Sequence, residues 1–204
     1  VQPLWKGENV GSRKILVYAE QGLGDTIQFF RFIPLLLEKG IRLIFECQRQ
    51  LFSLLEPLCQ GQELLEIIER GQPIPEFDLC VPMMSLPYLL DICELNLIPN
   101  KVPYILPTQS SNKLTFDTNS YKVGLVWAGN PKHENDHYRS LPFEQLAPLF
   151  SIKTVDFYSL QFGSKTETLI PQSYTNIITD LGGNFHDFRD TASAIGQLDL
   201  IISV

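Results

Sequence analysis

A glycine turn near the start of the chain has the residue types that bind an anion or move a proton. Residues 20–25 read EQGLGD and stand between an apolar run, 14–19, and a pattern typical of a helix. In open α/β sheets, ligands bind beyond the carboxyl ends of strands, where such a turn leads into a helix. Backbone N–H groups at Gly22 and Gly24 can hold an anion there, and glycine lets a ligand approach the main chain.

Asp25 stands at the end of this turn, where a carboxylate has two candidate roles. As a general base, it would take a proton from a sugar or another hydroxyl within hydrogen-bond reach. As a capping residue, it would only satisfy free N–H groups at the start of a helix that we predict to begin at Thr26. The residues of the turn leave both roles open.

The same turn is close to the dinucleotide-binding fingerprint G-x-G-x-x-G. Here the string is GLGDTI, so Ile27 replaces the third glycine, while Glu46 ends the next strand at about the distance of a ribose-binding acid. Asp25, however, would place a carboxylate where the pyrophosphate should lie, and like charges there are costly. We therefore disfavour a nicotinamide cofactor, whose presence a cofactor titration would reveal.

The elements around the turn predict an α/β protein with a first lobe over residues 1–107. Apolar runs predict strands at 14–19, 41–46, 64–68 and 77–81, and helical spacing predicts helices over 26–38, 50–58 and 85–93. Alternating strands and helices are typical of a parallel sheet. A stretch rich in proline and polar residues follows, and we assign residues 108–120 to a linker.

The same alternation begins again in residues 121–204, which we predict to be a second lobe. Strands are predicted at 121–127, 154–160, 176–179 and 198–204, and helices over 142–150 and 190–197. Asp190 would lie at the start of the second of these helices, where a carboxylate suits the positive end of the helix dipole. Trp127 ends an apolar strand, which predicts a core position.

Composition limits the classes of function. The 204 residues are 44% hydrophobic and 19% charged, which is ordinary for a globular protein. The formal net charge of −7 disfavours nucleic-acid binding, because an acidic surface repels a phosphate backbone. No apolar segment approaches the ~20 residues that a membrane span needs, and residues 1–11 lack a signal-peptide pattern. We expect a cytoplasmic protein without a transmembrane segment.

Cysteine and histidine are the remaining candidates for metal binding. The pair His133 and His137 has a helical spacing of four, but Pro131 and polar neighbours favour a loop. Surface positions are favoured for these two and for His186, with contact to a donor substrate as the alternative. The cysteines contain no C-x-x-C pair, which favours buried free thiols over metal binding or disulfides at Cys47, Cys59, Cys80 and Cys93.

Five segments, in order along nearly the whole chain, resemble the heptosyltransferase-like glycosyltransferases, in particular the group that follows tetratricopeptide repeats in bacterial proteins. The segments are EQGLGDTIQF (20–29), FDLCVPMMSLPYLL (77–90), VGLVWAGNPKHENDHYRSLP (123–142), YSLQFG (158–163) and DFRDTASAIGQLDLIISV (187–204). Each segment is weak support by itself, whereas their common order is strong support. The resemblance implies an α/β fold of the GT-B type, in which two Rossmann-like, doubly wound lobes face each other across a cleft.

The resemblance also implies which residues carry the reaction. In the family, an aspartate of the first glycine turn activates the acceptor hydroxyl, and Asp25 is the matching position. The acceptor lies mostly against the first lobe, with an acceptor loop and anion-binding positions at Gln21, Gly22, Gly24 and Gln28. The nucleotide-sugar lies against the second lobe, where arginine and lysine suit its phosphates. The implied donor-binding residues are Asn130, Lys132, Arg139, Ser140 and Gln161.

The expected activity is the inverting transfer of a sugar from a nucleotide-sugar to a hydroxyl of a glycan, a lipid-linked molecule or a protein. Neither a metal nor a cofactor is expected, and tetratricopeptide repeats would precede the domain in the parent chain. The family continues with an Asp-Thr pair and a His-Leu-Ala-Gly-like helix start, so we expect the second lobe to be truncated after Val204 and this fragment to be weakly active or inactive. The alternative is a catalytically silent binding module attached to helical repeats, in which the loop residues are only solvated.

Overall fold

The structure, a computed structural model, describes residues 2–106, 116, 120–131, 134–162 and 170–204. The chain divides into two compact units, Val1–Leu106 and Pro107–Val204. Each unit contains a four-stranded sheet with parallel strand pairs, which confirms the predicted α/β class. Most of the predicted linker 108–120 lies outside the described residues, as do Lys132 and His133.

The first unit is built on a sheet with the strand order β3-β2-β1-β4. After β3 the chain returns to the other side of β1. The carboxyl ends of β1 and β4 therefore form a topological switch point, the place where open α/β sheets bind ligands. The strands are β1 (Lys14–Tyr18), β2 (Arg42–Cys47), β3 (Leu65–Glu69) and β4 (Leu79–Pro82).

The predicted helix over 26–38 begins earlier than expected and has three parts. It consists of α1 (Leu23–Phe29), a 3-10 turn (Phe30–Phe32) and α2 (Ile33–Glu38). Pro34 lies in the first turn of α2, where its missing N–H would have no partner in any case. The prediction of a helix start at Thr26 was wrong because the capping bond at Gly22 starts the helix at Leu23.

The other helices of the first unit follow β2 and β4. Helix α3 (Arg49–Cys59) agrees with the helix predicted over 50–58. The predicted helix over 85–93 is shorter in the structure, because Asp91 takes a positive φ of 56° and the helical bonding ends before it. In this part of the chain, a 3-10 turn (Met83–Ser85) leads into α4 (Leu86–Leu89), and a further 3-10 turn (Leu95–Leu97) follows the predicted segment.

The core of the first unit lies on both faces of its sheet. Leu43, Ile44 and Phe45 are consecutive in β2 and at most 1% exposed, so both faces of this strand are covered. Helical residues such as Ile33, Leu36, Leu51 and Leu55 are equally buried. The turns at the ends of β1 and β2 are therefore attached to a rigid, close-packed platform.

The second unit contains a sheet with the order β7-β6-β5-β8, and its switch point lies between β5 and β8. The segment predicted as a helix over 142–150 is a 3-10 helix, Phe143–Ser151, with Pro148 inside it. The described part of the unit also contains 3-10 turns at Asp136–Tyr138, Gln172–Tyr174 and Gly182–Asn184. Among the described residues of this unit, the strands are β5 (Tyr121–Val126), β6 (Val155–Ser159), β7 (Ile178–Asp180) and β8 (Leu200–Ser203), and α5 (Phe188–Ile195) is an α-helix.

An aromatic cluster forms much of the core of the second unit. Trp127, which is 2% exposed, meets Phe143 edge to face at 5.2 Å between ring centroids, and Phe150 meets Phe157 in the same manner, also at 5.2 Å. The predicted core position of Trp127 is confirmed. Within the described ranges of the two units, no helix has the length and apolar character needed to cross a bilayer.

Candidate functional site

The glycine turn joins the carboxyl end of β1 to α1. Hydrogen bonds to the backbone N–H and to the carbonyl of Gly22 hold it in place. Gly22 precedes α1 in an extended conformation, and its N–H donates to Oδ2 of Asp25 at 3.0 Å. The Gly22 carbonyl accepts from the backbone N–H of Thr26 at 3.1 Å and from its hydroxyl at 3.2 Å. Thr26 is only 2% exposed, so the start of α1 is fixed on the platform of the sheet.

Asp25 performs the capping role that the sequence left open. It is the third residue of α1, and its carboxylate reaches back to the N–H of the residue before the helix, which is one half of a capping box. Asp25 is half-buried, and its carboxylate forms no other hydrogen bond or ion pair with the described residues. The cap uses Oδ2 and leaves Oδ1 open, so capping and proton acceptance are compatible in this geometry.

The predicted anion-binding residues lie in this turn or next to it, but the backbone N–H of Gly22 is already used as a hydrogen-bond donor. Gln21, Gly24 and Gln28 are exposed beside the turn. The N–H of Gly22 is taken by the carboxylate of Asp25, so an anion would compete with a like charge for that donor. A side chain at Gly24 would meet no atom within 4 Å, which leaves space for a ligand next to Asp25.

Two polar residues that the sequence analysis missed connect this turn to the neighbouring strands. Glu20 accepts a hydrogen bond from the backbone N–H of Met84 at 3.1 Å, which ties the end of β1 to the segment after β4 across the switch point. Gln48 follows β2 and donates from Nε2 to the carbonyl of Gln21 at 2.8 Å. Their position directly after the carboxyl ends of strands was the only signal in the sequence.

A second candidate site lies in the second unit, beyond the carboxyl ends of β5 and β6. A cavity of about 400 Å³ opens there beside the first residues of α5, and this volume falls in the range of small-molecule pockets. Its apolar wall is formed by Val126, Ala128, Pro131, Leu160, Phe162 and Phe188. The remaining lining residues are Gly129, Asn130, Gln161, Asp187 and Thr191.

The predicted donor-binding residues have different positions relative to this cavity. Asn130 and Gln161 line it. Ser140 lies behind the wall, where its hydroxyl accepts from the N–H of Gly129 at 2.9 Å and donates to Oδ1 of Asp136 at 2.9 Å. Arg139 is exposed and does not line the cavity, and Lys132 lies outside the described residues. The structure therefore brings two of the five residues together and adds Ser140 as a support.

Asp187 is a cavity residue that the sequence analysis did not select. It precedes α5, and its carboxylate accepts from the N–H groups of Arg189 at 2.8 Å and Asp190 at 3.2 Å. The helix predicted to begin at Asp190 therefore begins at Phe188. An aspartate directly before a helical pattern was the signal for this cap. The cap already occupies first-turn donors that an anion would otherwise use.

The carboxylate of Asp190 bonds to His186, the residue before Asp187. Asp190 is 6% exposed, and its Oδ2 accepts from the backbone N–H of His186 at 2.8 Å and lies 3.2 Å from the ring nitrogen Nδ1. The His186 side chain is 80% exposed, so its predicted surface position is confirmed. The buried carboxylate fixes the ring orientation and leaves Nε2 directed away from this bond.

Within the described ranges, no three His, Cys, Asp or Glu side chains come together in a group that could hold a metal ion. No protein-family model, curated protein or solved structure matches the chain. The features that bear on function are therefore the glycine turn of the first unit, the cavity of the second unit and the resemblance of the five segments.

Proposed function

We propose that this chain is the transferase part of an inverting glycosyltransferase of the GT-B type, with Asp25 as the base and the cavity of the second unit as the site of the nucleotide-sugar. The observation that carries the proposal is the open Oδ1 of Asp25. The carboxylate is held in one orientation by the N–H of Gly22, and it still has an oxygen that can receive a proton. The order of the five family-like segments supports the same assignment.

The reaction follows from this assignment. Oδ1 of Asp25 takes the proton of the acceptor hydroxyl, and the hydroxyl oxygen attacks the anomeric carbon of the donor sugar. The bond between that carbon and the diphosphate oxygen breaks, and its electron pair stays with the nucleoside diphosphate. Attack opposite the leaving group inverts the anomeric centre, and Asp25 later releases its proton to solvent. Positive groups near the departing diphosphate stabilise the charge that develops on it.

The residues that line the cavity suit the nucleoside part of the donor better than its diphosphate. Apolar side chains such as Phe162 and Phe188 suit the faces of a base, and Asn130 and Thr191 are polar residues of the same lining. The carboxylate of Asp187 repels phosphate and suits ribose hydroxyls as an acceptor. We therefore propose that the diphosphate lies toward Arg139, whose cation matches its charge, while Lys132, which the family resemblance also implies for this role, lies outside the described residues.

The second candidate function is a binding module without catalysis. It is favoured by the capping bonds of Asp25 and Asp187, because these bonds explain both carboxylates as supports for the first turn of a helix. In that case the cavity of the second unit would recognise a ligand or a partner without any reaction at the glycine turn. Both functions use the same fold, so a binding experiment must come before a kinetic one.

The test is a thermal-shift panel of nucleoside diphosphates and nucleotide-sugars on the longest natural form of the chain. A ligand at about 100 times its Kd should stabilise the protein by roughly 2.7 kcal/mol. The same panel on Ala128→Leu, which enlarges a side chain of the cavity lining, should show a smaller shift, whereas the control Ala192→Leu on α5 should respond normally. A nucleotide whose shift is reduced by Ala128→Leu and not by Ala192→Leu supports the donor site. If no nucleotide shifts the unmodified protein, the transferase assignment fails and the binding module is favoured.

A further inference from the structure

Gln48 is a buried polar residue beside the glycine turn, and the proposed reaction does not use it directly. It follows β2 as the residue before α3, and it forms no side-chain cap for that helix. It is 8% exposed although its side chain is an amide. The parallel pairing of β1 and β2 aligns Tyr18 with Glu46, so the chain segments that follow the two strands lie next to each other.

The amide of Gln48 bonds to the two peptides that carry the glycine turn. Nε2 donates to the carbonyl of Gln21 at 2.8 Å and has a longer contact of 3.5 Å to the carbonyl of Gly22. The N–H of Gly22 in turn donates to Oδ2 of Asp25 at 3.0 Å. A continuous path of hydrogen bonds and one peptide unit therefore leads from Gln48 to the carboxylate of Asp25.

The other end of the Gln48 amide is a cost to stability that an apolar residue would not have. Its Oε1 is buried without a hydrogen-bond partner among the described residues, which is unfavourable for a polar oxygen. The opposite amide orientation would place Oε1 against the carbonyl of Gln21, so the donor must face the turn. An apolar side chain of the same length would avoid the orphaned oxygen and would lose only the bond to the turn.

We infer that Gln48 is the positioning residue of Asp25. By holding the carbonyls of Gln21 and Gly22, it fixes the direction of the Gly22 N–H, and that N–H fixes the rotamer of the Asp25 carboxylate. The value of the arrangement for turnover depends on the proposed function, because it assumes that Asp25 is the base. The positioning itself is a property of the turn and can be measured without a substrate.

The test compares the unmodified 204-residue chain with Gln48→Met by nuclear magnetic resonance. Methionine has a similar length and no donor for the Gln21 carbonyl. Three-bond couplings from the Asp25 backbone to Cγ report its rotamer, and amide hydrogen exchange reports the Gly22 N–H. We expect one rotamer of Asp25 in the unmodified chain and averaged couplings in Gln48→Met. Exchange at Gly22 should rise roughly fivefold to tenfold, the effect of about one hydrogen bond.

Two further variants keep this test decisive. Leu54→Met alters the packing of α3 without removing a bond to the turn, so it should leave the Asp25 couplings and the Gly22 exchange unchanged. Gln48→Asn keeps an amide but shortens its reach by one methylene group, and it should reproduce the effects of Gln48→Met if methionine prevents folding. Unchanged Asp25 couplings in a folded Gln48 variant would overturn the inference.

Measurements of turnover distinguish a failure of this inference from a failure of the proposed function. If both hold, Gln48→Met in the longest natural form should lower kcat by about tenfold with little change in KM, because positioning contributes in the transition state. If the couplings change but neither Gln48→Met nor Asp25→Asn alters turnover, Gln48 still positions the carboxylate and Asp25 is not the base. In that case the positioning inference stands and the proposed function fails.

Discussion

The side chain of Gln161 forms a two-way hydrogen-bonded pair with the backbone of Ala128. Its Nε2 donates to the Ala128 carbonyl at 2.7 Å, and its Oε1 accepts from the Ala128 N–H at 3.2 Å. The same Oε1 also accepts from the N–H of Trp127 at 3.2 Å. Gln161 therefore uses its whole amide to hold the loop after β5, which forms one wall of the cavity.

The first prediction concerns this pair. Gln161→Leu should lower the free energy of unfolding of the second unit by about 1–3 kcal/mol, because it leaves the buried N–H of Trp127 and the part-buried N–H of Ala128 without their acceptor. The measurement is urea unfolding followed by the fluorescence of Trp127 in a Trp5→Phe background, since these are the two tryptophans of the chain.

The matched control for this prediction is Gln197→Leu. Gln197 is exposed, and its Nε2 forms a single bond to the carbonyl of Ser193 at 3.0 Å. Its substitution should change the free energy of unfolding by less than about 0.5 kcal/mol. Equal effects of the two substitutions would contradict the role assigned to Gln161.

The second prediction concerns Gly182, which packs directly on the backbone of Gln161. A Cβ added at Gly182 would lie 1.8 Å from the carbonyl oxygen of Gln161, and a backbone atom cannot move aside as a flexible side chain does. Gly182→Ala should therefore destabilise the second unit by more than about 3 kcal/mol. Gly24→Ala is the contrast, because its Cβ would meet no atom within 4 Å. A Gly182→Ala protein as stable as Gly24→Ala would contradict this packing.

The strands of both units could be predicted from the sequence, whereas the starts of α1 and α5 and the side-chain bonds could not. Residues 15–19 and 123–127 are continuously apolar, and this is the pattern that a strand buried on both faces requires. Helix starts depend on single capping bonds. The carboxylate of Asp187 starts α5 two residues before the predicted position, Asp190. Local spacing favoured the acidic residue nearer the helical pattern, and only the geometry shows which carboxylate reaches the N–H groups.

In the candidate sites, contacts between residues close in sequence could be predicted, whereas contacts between distant residues could not. The glycine turn and Asp25 are contiguous in sequence, so their association was predictable. Gln48 bonds to a residue 27 positions away, and Gln161 bonds to one 33 positions away. Such contacts follow from the pairing of neighbouring parallel strands, and no local pattern encodes them. Glutamine after a strand is also common in solvated loops, so its residue type adds little information.

The third prediction concerns cysteine reactivity. Burial raises the pKa of the Cys47 and Cys59 thiols to about 12, whereas Cys93 is exposed. The two buried thiols stay protonated near pH 8, and the thiolate is the reactive form. Iodoacetamide at that pH should modify Cys93 in the folded chain and spare Cys47 and Cys59, as measured by peptide mass spectrometry. In denaturant all three should react, and rapid modification of Cys47 in the folded chain would contradict the burial.

The fourth prediction concerns acid sensitivity. The Lys122 backbone N–H donates to the Asp199 carboxylate at 2.8 Å and, with the Lys122 ammonium at 3.4 Å, lowers the pKa of that carboxyl. A lowered folded pKa contributes stability above the unfolded value of about 3.9, and this contribution is lost as the pH falls through the folded value.

Asp199→Asn removes this titration, so the melting temperature of the variant should fall less steeply than that of the unmodified chain below about pH 4. The measurement is thermal unfolding at a series of pH values. Glu144→Gln is the control, because Glu144 is exposed and has no ion pair among the described residues. Identical slopes for Asp199→Asn and the unmodified chain would contradict the contribution of Asp199.

The fifth prediction separates the two roles of Asp25. Asparagine retains an oxygen that can accept from the N–H of Gly22, but it cannot take a proton from a hydroxyl. Asp25→Asn should therefore keep the cap, with a change in the free energy of unfolding below about 0.5 kcal/mol, and it should lower turnover by about 10²- to 10⁴-fold. Asp25→Ala should show the same loss of turnover and lose about 1 kcal/mol of stability as well, because the cap is removed.

The comparison of these two variants decides between the base and the cap. Both should still bind the nucleotide that stabilises the unmodified protein, because Asp25 belongs to the first unit and the cavity belongs to the second. If Asp25→Asn turns over as fast as the unmodified protein while Asp25→Ala is less stable, the carboxylate is only a cap. If Asp25→Asn is as stable as the unmodified chain and has lost turnover, the open oxygen of Asp25 is the group that takes the proton.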